Sequence, residues 1–225
     1  MKILIYGASG MVGQGVLREC IKARDVENLT VIARSPIPEW HIKINHVVTE
    51  NLVSPLAELY AAEKWDACFF CLGVSSFGMS EEEYSHITFI LTLDIASQLA
   101  RLDQEMTFVY VSGAGTDSSE VGKTMWARVK GKTENRLLRL GFSSALMFRP
   151  AVILPLDGIR SKTRIYRVLY KMLSPFFPLL KRLFPESIIT TEEMGKSMLN
   201  AVRYGYDNPV LEKEDIYQLA KKDNR

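Results

Sequence analysis

The stretch Lys2-Ile3-Leu4-Ile5-Tyr6-Gly7-Ala8-Ser9-Gly10-Met11-Val12-Gly13 joins a short apolar run to three glycines spaced Gly-x-x-Gly-x-x-Gly. Residues 2–6 are too few for a helix and lack the alternation of a half-exposed strand, which predicts a strand buried on both faces. Beyond Gly10 the apolar positions Val12, Val16, Leu17, Cys20 and Ile21 recur at helical spacing, with Arg18, Glu19 and Lys22 on the other side. Strand, glycine turn and helix in this order make a device for holding phosphates. The first glycine permits the tight turn, and the later ones let backbone approach a pyrophosphate and let helix pack on strand. Free N–H groups and the helix dipole then favour an anion at the helix start. The expected contacts are Gly7, Ala8, Ser9, Gly10, Met11, Val12 and Gly13. A glycine turn that binds nothing is the alternative, and the flanking strand and helix weigh against it.

Outward from this unit, strand-like runs follow at about 29–33, 45–49, 67–72, 107–111 and 144–148. Helical patterns lie between them at about 55–63, 81–102 and 123–140. Ser80 is the expected N-cap of the second, with Glu81, Glu82 and Glu83 in its first turn. Strands alternating with helices call for a parallel sheet covered on both faces, a doubly wound α/β domain of the Rossmann type. No internal repeat or low-complexity linker interrupts residues 1–225, which predicts one domain. After Pro150 the alternation breaks down. Residues 160–185 read as helical or irregular, about 190–204 as an amphipathic helix, and the tail Lys221-Lys222-Asp223-Asn224-Arg225 is expected to fray.

The totals narrow the partners. A chain of 225 residues with 47% apolar side chains can bury one continuous core. A net charge of +2 is too small to point to nucleic acid. The first apolar run stops at a glycine turn, unlike a signal peptide, and no run reaches the ~18–20 apolar residues of a bilayer span. Three cysteines are too few for a disulfide framework, so the cytoplasm is the expected compartment. Cys68 and Cys71 form a Cys-x-x-Cys, but they fall in a strand-like run. A redox pair wants a helix N-terminus, so two small buried residues are the favoured reading, and no metal site is expected.

The end of the second strand speaks to cofactor choice. NAD enzymes place an acid about 20 residues beyond the glycine loop for the ribose hydroxyls, and NADP enzymes often place Arg there for the 2′-phosphate. Here that position is Arg34, with no acid before Glu39. A guanidinium can grip a phosphate with two N–H groups and stack on adenine, so NADP(H) is the expected cofactor over NAD. Asn51 is placed to reach the adenine. Gly73, Val74, Ser75 and Ser76 follow the fourth strand, where ligands bind in parallel sheets.

With these residues in place the chain resembles the short-chain dehydrogenase/reductase superfamily, in its atypical, NmrA-like and epimerase-like branch. The resemblance spans residues 1–205. It rests on Gly7-x-x-Gly10-x-x-Gly13, Cys71-Leu72-Gly73, Val109-Tyr110-Val111-Ser112-Gly113, Lys130 in Trp126-Ala127-Arg128-Val129-Lys130, and Phe148-Arg149-Pro150. It implies that Leu72, Gly73, Lys130, Arg149 and Pro150 also serve the cofactor, and that a Ser, Tyr and Lys carry the chemistry. Lys130 matches the lysine. Trp126 stands at the tyrosine position, and an indole N–H donates a hydrogen bond but is no general acid. The serine position falls on Gly113, leaving Ser112 as the nearest hydroxyl. The form Trp-Ala-Arg-Val-Lys resembles a bacterial subgroup of unassigned substrate. The departure implies either lost catalysis or a proton donor elsewhere, such as Tyr84, His86 or a water.

From residue 158 to 185 the chain carries seven Lys or Arg and no Asp or Glu, interleaved with aromatic and aliphatic side chains. A small helical cap over the cofactor cleft, or a homodimer interface, is the first expectation for this segment (158–186). Peripheral contact with an anionic membrane through 160–182 is the second. An apolar or aromatic small-molecule substrate suits such a cap.

Overall fold

The computed structural model describes residues 1–156, 158–159 and 181–222. Seven strands build one fully parallel sheet: β1 (Lys2–Tyr6), β2 (Asn28–Ala33), β3 (Ile44–Val48), β4 (Ala67–Phe70), β5 (Thr107–Val111), β6 (Ser144–Phe148) and β9 (Val210–Leu211). Their order is β3-β2-β1-β4-β5-β6-β9. The chain steps outward from β1 through β2 to β3, then returns to β4 on the other side of β1 and continues to the opposite edge. The sheet is thus doubly wound, and its direction of winding reverses between β1 and β4. A separate parallel pair joins β7 (Val152–Leu154) to β8 (Ile188–Thr190).

The apolar run of β1 is continuous because both of its faces are covered. Ile3 and Ile5 face a core that includes Val16, Leu17 and Cys20 of helix α1 (Met11–Lys22). The same core takes Met194 and Met198 of α6 (Thr191–Tyr204) and Ile216 and Leu219 of α7 (Lys213–Lys221). Leu4 and Tyr6 face the other core, with Leu56 of α2 (Leu56–Ala62), Ile95 and Leu99 of α4 (Thr92–Leu102), and Leu137 of α5 (Met125–Leu137). Side chains alternate across a strand, so the four apolar residues Ile3 to Tyr6 feed two helical layers.

Several boundaries differ from the sequence expectation for identifiable reasons. β4 stops at Phe70 rather than 72, because Cys71 and Leu72 turn over the glycine loop, although Cys71 N–H still donates to Tyr6 O at 2.9 Å. The helix expected over 81–102 opens as α3 (Glu81–Ser85) and runs through a π turn (His86–Leu91) before α4. Its start is as expected: Ser80 Oγ accepts from Glu83 N–H, and the Glu83 carboxylate accepts from Ser80 N–H at 2.8 Å. The helix foreseen at 190–204 is α6, closed at its start by the same reciprocal arrangement between Thr190 and Glu193. The sequence pattern shows neither β7, β8 and β9 nor α7. Lys221 closes α7, and residues 223–225, with the body of the basic segment at 160–180, lie outside the described residues.

Candidate functional site

The site forms where the winding reverses, at the carboxyl ends of β1, β2, β3 and β4. A cleft of about 650 Å³ is lined there by Gly7, Ser9 and Gly10 of the loop, Arg34 and Ser35 after β2, and Glu50, Asn51 and Leu52 after β3. Leu72, Gly73 and Val74 after β4 complete it, with Ile87 and Leu91 from the π turn. Ligands bind in this crevice of open α/β sheets, and the volume suits a nucleotide-sized molecule.

Close packing of backbone on backbone shapes the loop. Gly7 sits at φ +79°, in the left-handed region, and a Cβ on it would lie 2.5 Å from Leu72 N and 2.7 Å from Cys71 O. A Cβ on Gly13 would lie 2.2 Å from Gly7 O. The exit of β4, the end of β1 and the first turn of α1 therefore meet without intervening side chains. Gly10 N–H donates to Gly7 O at 2.9 Å and closes the turn. Gly10 is also the N-cap of α1, with no side-chain cap and no acid in the first turn. In contrast, α3 and α6 carry capping boxes and first-turn acids. Uncapped N–H groups and an uncompensated dipole at the cleft suit an anion. Of the other loop residues, Ala8 is buried, and Met11 and Val12 pack against the core beneath.

The adenosine-side expectations meet in one place. Arg34 leaves the end of β2 exposed to solvent, with no side-chain hydrogen bond or ion pair among the described residues. Asn51 Oδ1 accepts from Val53 N–H at 3.0 Å and Ser54 N–H at 3.1 Å, which holds the turn after β3. Tyr6 OH donates to Leu52 O at 2.7 Å from beneath, pinning that turn to β1. Burial raises the Tyr6 phenol above its ordinary range, so it stays a donor. Glu50, Ser35, Leu52, Ile87 and Leu91 line the cleft without having been singled out from sequence. The signal available for Glu50 was its place just beyond the third strand.

The residues that the resemblance would assign to catalysis, Ser112, Trp126 and Lys130, lie past the end of β5 and outside the residues lining the cleft. Lys130 and Ser112 come together: Lys130 Nζ donates to Ser112 O at 2.5 Å, and its ammonium stands 6.0 Å from the Tyr110 ring centre. Burial pushes the Lys130 pKa down to about 8, with Glu134 acting in the opposite sense. Ser112 Oγ donates to Phe148 O at 3.0 Å, across to β6. Trp126 occupies the first turn of α5, one turn before Lys130, with its ring against Gly115. Of the alternative proton donors, Tyr84 is buried at 2% exposure and His86 is exposed on the π turn.

Arg149 and Pro150, which the resemblance would give to the cofactor, lie at the end of β6. The Arg149 guanidinium grips the buried Glu134 carboxylate, with Nε donating at 3.1 and 3.2 Å and Nη2 donating as well. It also donates to Glu212 Oε1 at 3.0 Å and Ser118 Oγ at 2.6 Å. This clamp ties the end of β6 to α5 and to the start of α7, and neither Arg149 nor Pro150 is among the cleft residues. Pro150 is buried, and its carbonyl accepts from Ala114 N–H at 2.9 Å.

The Cys-x-x-Cys carries no sign of an activated thiol. Cys68 is buried in β4, and burial raises its pKa; burial pushes Cys71 up to about 12. A redox thiol needs the opposite shift. Among the described residues no helix is long and apolar enough to cross a membrane.

No family model matches the chain. Among curated proteins it is 27% identical over 143 residues to "Leucinostatins biosynthesis cluster protein T" of Purpureocillium lilacinum, covering 62% of this chain and 52% of that protein. It is 25% identical over 170 residues to "Protein FMP52, mitochondrial" of Debaryomyces hansenii, covering 73% and 70%. With "Protein HTATIP2" of Rattus norvegicus it shares 27% over 154 residues, covering 68% and 62%. The chain thus spans about half the length of the first of these and under two thirds of the last.

Solved structures match more completely. The Bordetella bronchiseptica enzyme WbmH in complex with NAD+ superposes with a TM-score of 0.66 at 12% identity, covering 94% of this chain and 74% of that one. UDP-glucose 4-epimerase of Thermotoga maritima, solved with UDP-glucose, gives 0.67 at 12%, covering 98% and 82%. A short chain dehydrogenase family protein of Francisella tularensis gives 0.66 at 12%, covering 96% and 98%. The chain therefore has the Rossmann-like fold shared by short-chain dehydrogenases and sugar-nucleotide epimerases.

Proposed function

We propose that the chain is an NADP(H)-binding, short-chain-dehydrogenase-like protein that acts as a reductase or epimerase-like oxidoreductase, with Trp126 in place of the proton-transferring tyrosine. One observation carries this reading: the cleft joins the start of α1, without a side-chain cap, to an exposed Arg34 that has no ion pair among the described residues at one end, and to Gly73 and Val74 at the other. Gly7, Ser9 and Gly10 would receive the pyrophosphate, Arg34 the 2′-phosphate, and Asn51 and Leu52 the adenine side. When bound, the dinucleotide supplies or accepts hydride. Val74, Ile87 and Leu91 line the far end of the cleft. This apolar surround favours an apolar or aromatic substrate. Three free thiols suit a reducing compartment, for which we propose the cytoplasm.

A second reading has its own support. Ser112 Oγ is spent on Phe148 O, Lys130 Nζ is spent on Ser112 O, and Trp126 cannot transfer a proton. That arrangement favours an NADP(H)-binding module that reports nucleotide state to a partner without turnover. Calorimetric titration with NADPH and NADH tests the shared premise. Micromolar NADPH binding that exceeds NADH and collapses in Arg34→Ala is expected, and no binding to either rejects both readings. NADPH oxidation on a panel of carbonyl compounds then separates them. Turnover by the wild type supports the enzyme, whereas turnover by Trp126→Tyr alone supports the module.

A further inference from the structure

The preference assigned to Arg34 is opposed by a second charge on the same rim. β2 and β3 run parallel with Ala33 opposite Val48, and Thr49 N–H donates to Ala33 O at 3.0 Å. The residues that follow, Arg34 and Glu50, therefore leave neighbouring strand ends side by side. Both are exposed, both line the cleft, and their side chains make no ion pair with each other or with any other described residue. Two opposite charges at adjacent strand ends, with no ion pair among the described residues, are both available to a ligand.

Resting on the dinucleotide reading of this cleft, we propose that Glu50 is a second determinant of cofactor choice, acting against Arg34. On the rim that would hold the adenosine ribose, its carboxylate repels a 2′-phosphate and accepts a hydrogen bond from a 2′-hydroxyl. Arg34 does the reverse, favouring the phosphate and offering a 2′-hydroxyl little. A site with both charges binds the two dinucleotides with a narrow preference, where Arg34 alone would bind NADP(H) selectively. Because the rim is open to water, the repulsion is screened, and the expected effect on affinity is about five- to tenfold rather than thousands.

Calorimetric titration with NADPH and NADH on the wild type, Glu50→Gln, Glu50→Ala and Arg34→Ala tests this. Removing the carboxylate strengthens NADPH binding about five- to tenfold and weakens NADH binding, with both Glu50 variants shifting the ratio in the same direction. The gain for NADPH shrinks at about 0.5 M salt, as exposed charges must. Circular dichroism confirms that the variants are folded, as the exposed position of Glu50 requires. A ratio unchanged within about twofold, alongside an Arg34→Ala variant that loses NADPH, overturns the role of Glu50 and leaves the cofactor reading standing. A wild type that binds neither dinucleotide overturns both.

Discussion

Replacing Arg149 with Met is expected to unfold the protein far more readily while sparing its cleft. Glu134 is 1% exposed, and the Arg149 guanidinium is its hydrogen-bonding partner on both carboxylate oxygens. The bonds to Glu134 raise the pKa of Arg149 itself, which places the coupling in the folded state. Met fills much of the space but leaves a carboxylate buried without its counter-charge, and breaking such a pair costs about 3–5 kcal/mol. The bonds to Glu212 and Ser118 are lost with it, loosening the start of α7. For a chain of this size the melting temperature should fall by about 10 °C. Urea unfolding followed by circular dichroism measures the loss. The double variant Glu134→Gln/Arg149→Met removes the stranded charge and should recover most of it. A loss below about 1 kcal/mol, or no recovery in the double variant, refutes the clamp. A stable Arg149→Met that no longer binds NADPH would return Arg149 to the cofactor site that its place in the sequence suggested.

Two further outcomes follow from other contacts. Gly13→Ala puts a Cβ 2.2 Å from Gly7 O, a backbone atom that cannot move aside cheaply, so it should cost about 1–3 kcal/mol and weaken NADPH at least tenfold. Gly73→Ala, where a Cβ meets nothing within 4 Å, should leave stability unchanged in the same melts; equal stability of both variants would refute the packing argument. Burial holds the Lys130 pKa at about 8 against an ordinary 10.5, so the folded protein binds this proton less tightly than the unfolded chain. Wild-type stability should therefore rise relative to Lys130→Met between about pH 8 and 10.5, by roughly 3 kcal/mol, and level off below about pH 8. A pH-independent difference between the two proteins would contradict the burial of the charged amine.

What could be read from the sequence alone was local in origin. The run Ile3 to Tyr6, the glycine spacing that follows and the helical recurrence from Val12 to Ile21 lie within about two dozen residues, and each follows from near-neighbour sterics and periodicity. The central strands, the helix caps at Ser80 and the glycine loop came from the same kind of signal. Arg34 was found because its distance from the loop is set by one helix and one strand of ordinary length. Other features have no local signature. Val210 and Leu211 are too few to show a period, and they form a strand because β6 offers an open edge. The partners of Arg149 lie 15, 31 and 63 residues away, and from sequence it could only be placed by its position after a strand. The turn of β4 at Cys71 and the pairing of Lys130 with Ser112 O depend in the same way on elements brought together by folding. Glu50 stands beside Arg34 only because β2 and β3 pair in one register. The sequence by itself determined the strand-loop-helix unit and the sheet class, since those rest on residues that touch along the chain. Only the tertiary structure decided which charges are buried against a partner and which are left open at the cleft, because that depends on contacts between segments far apart in sequence.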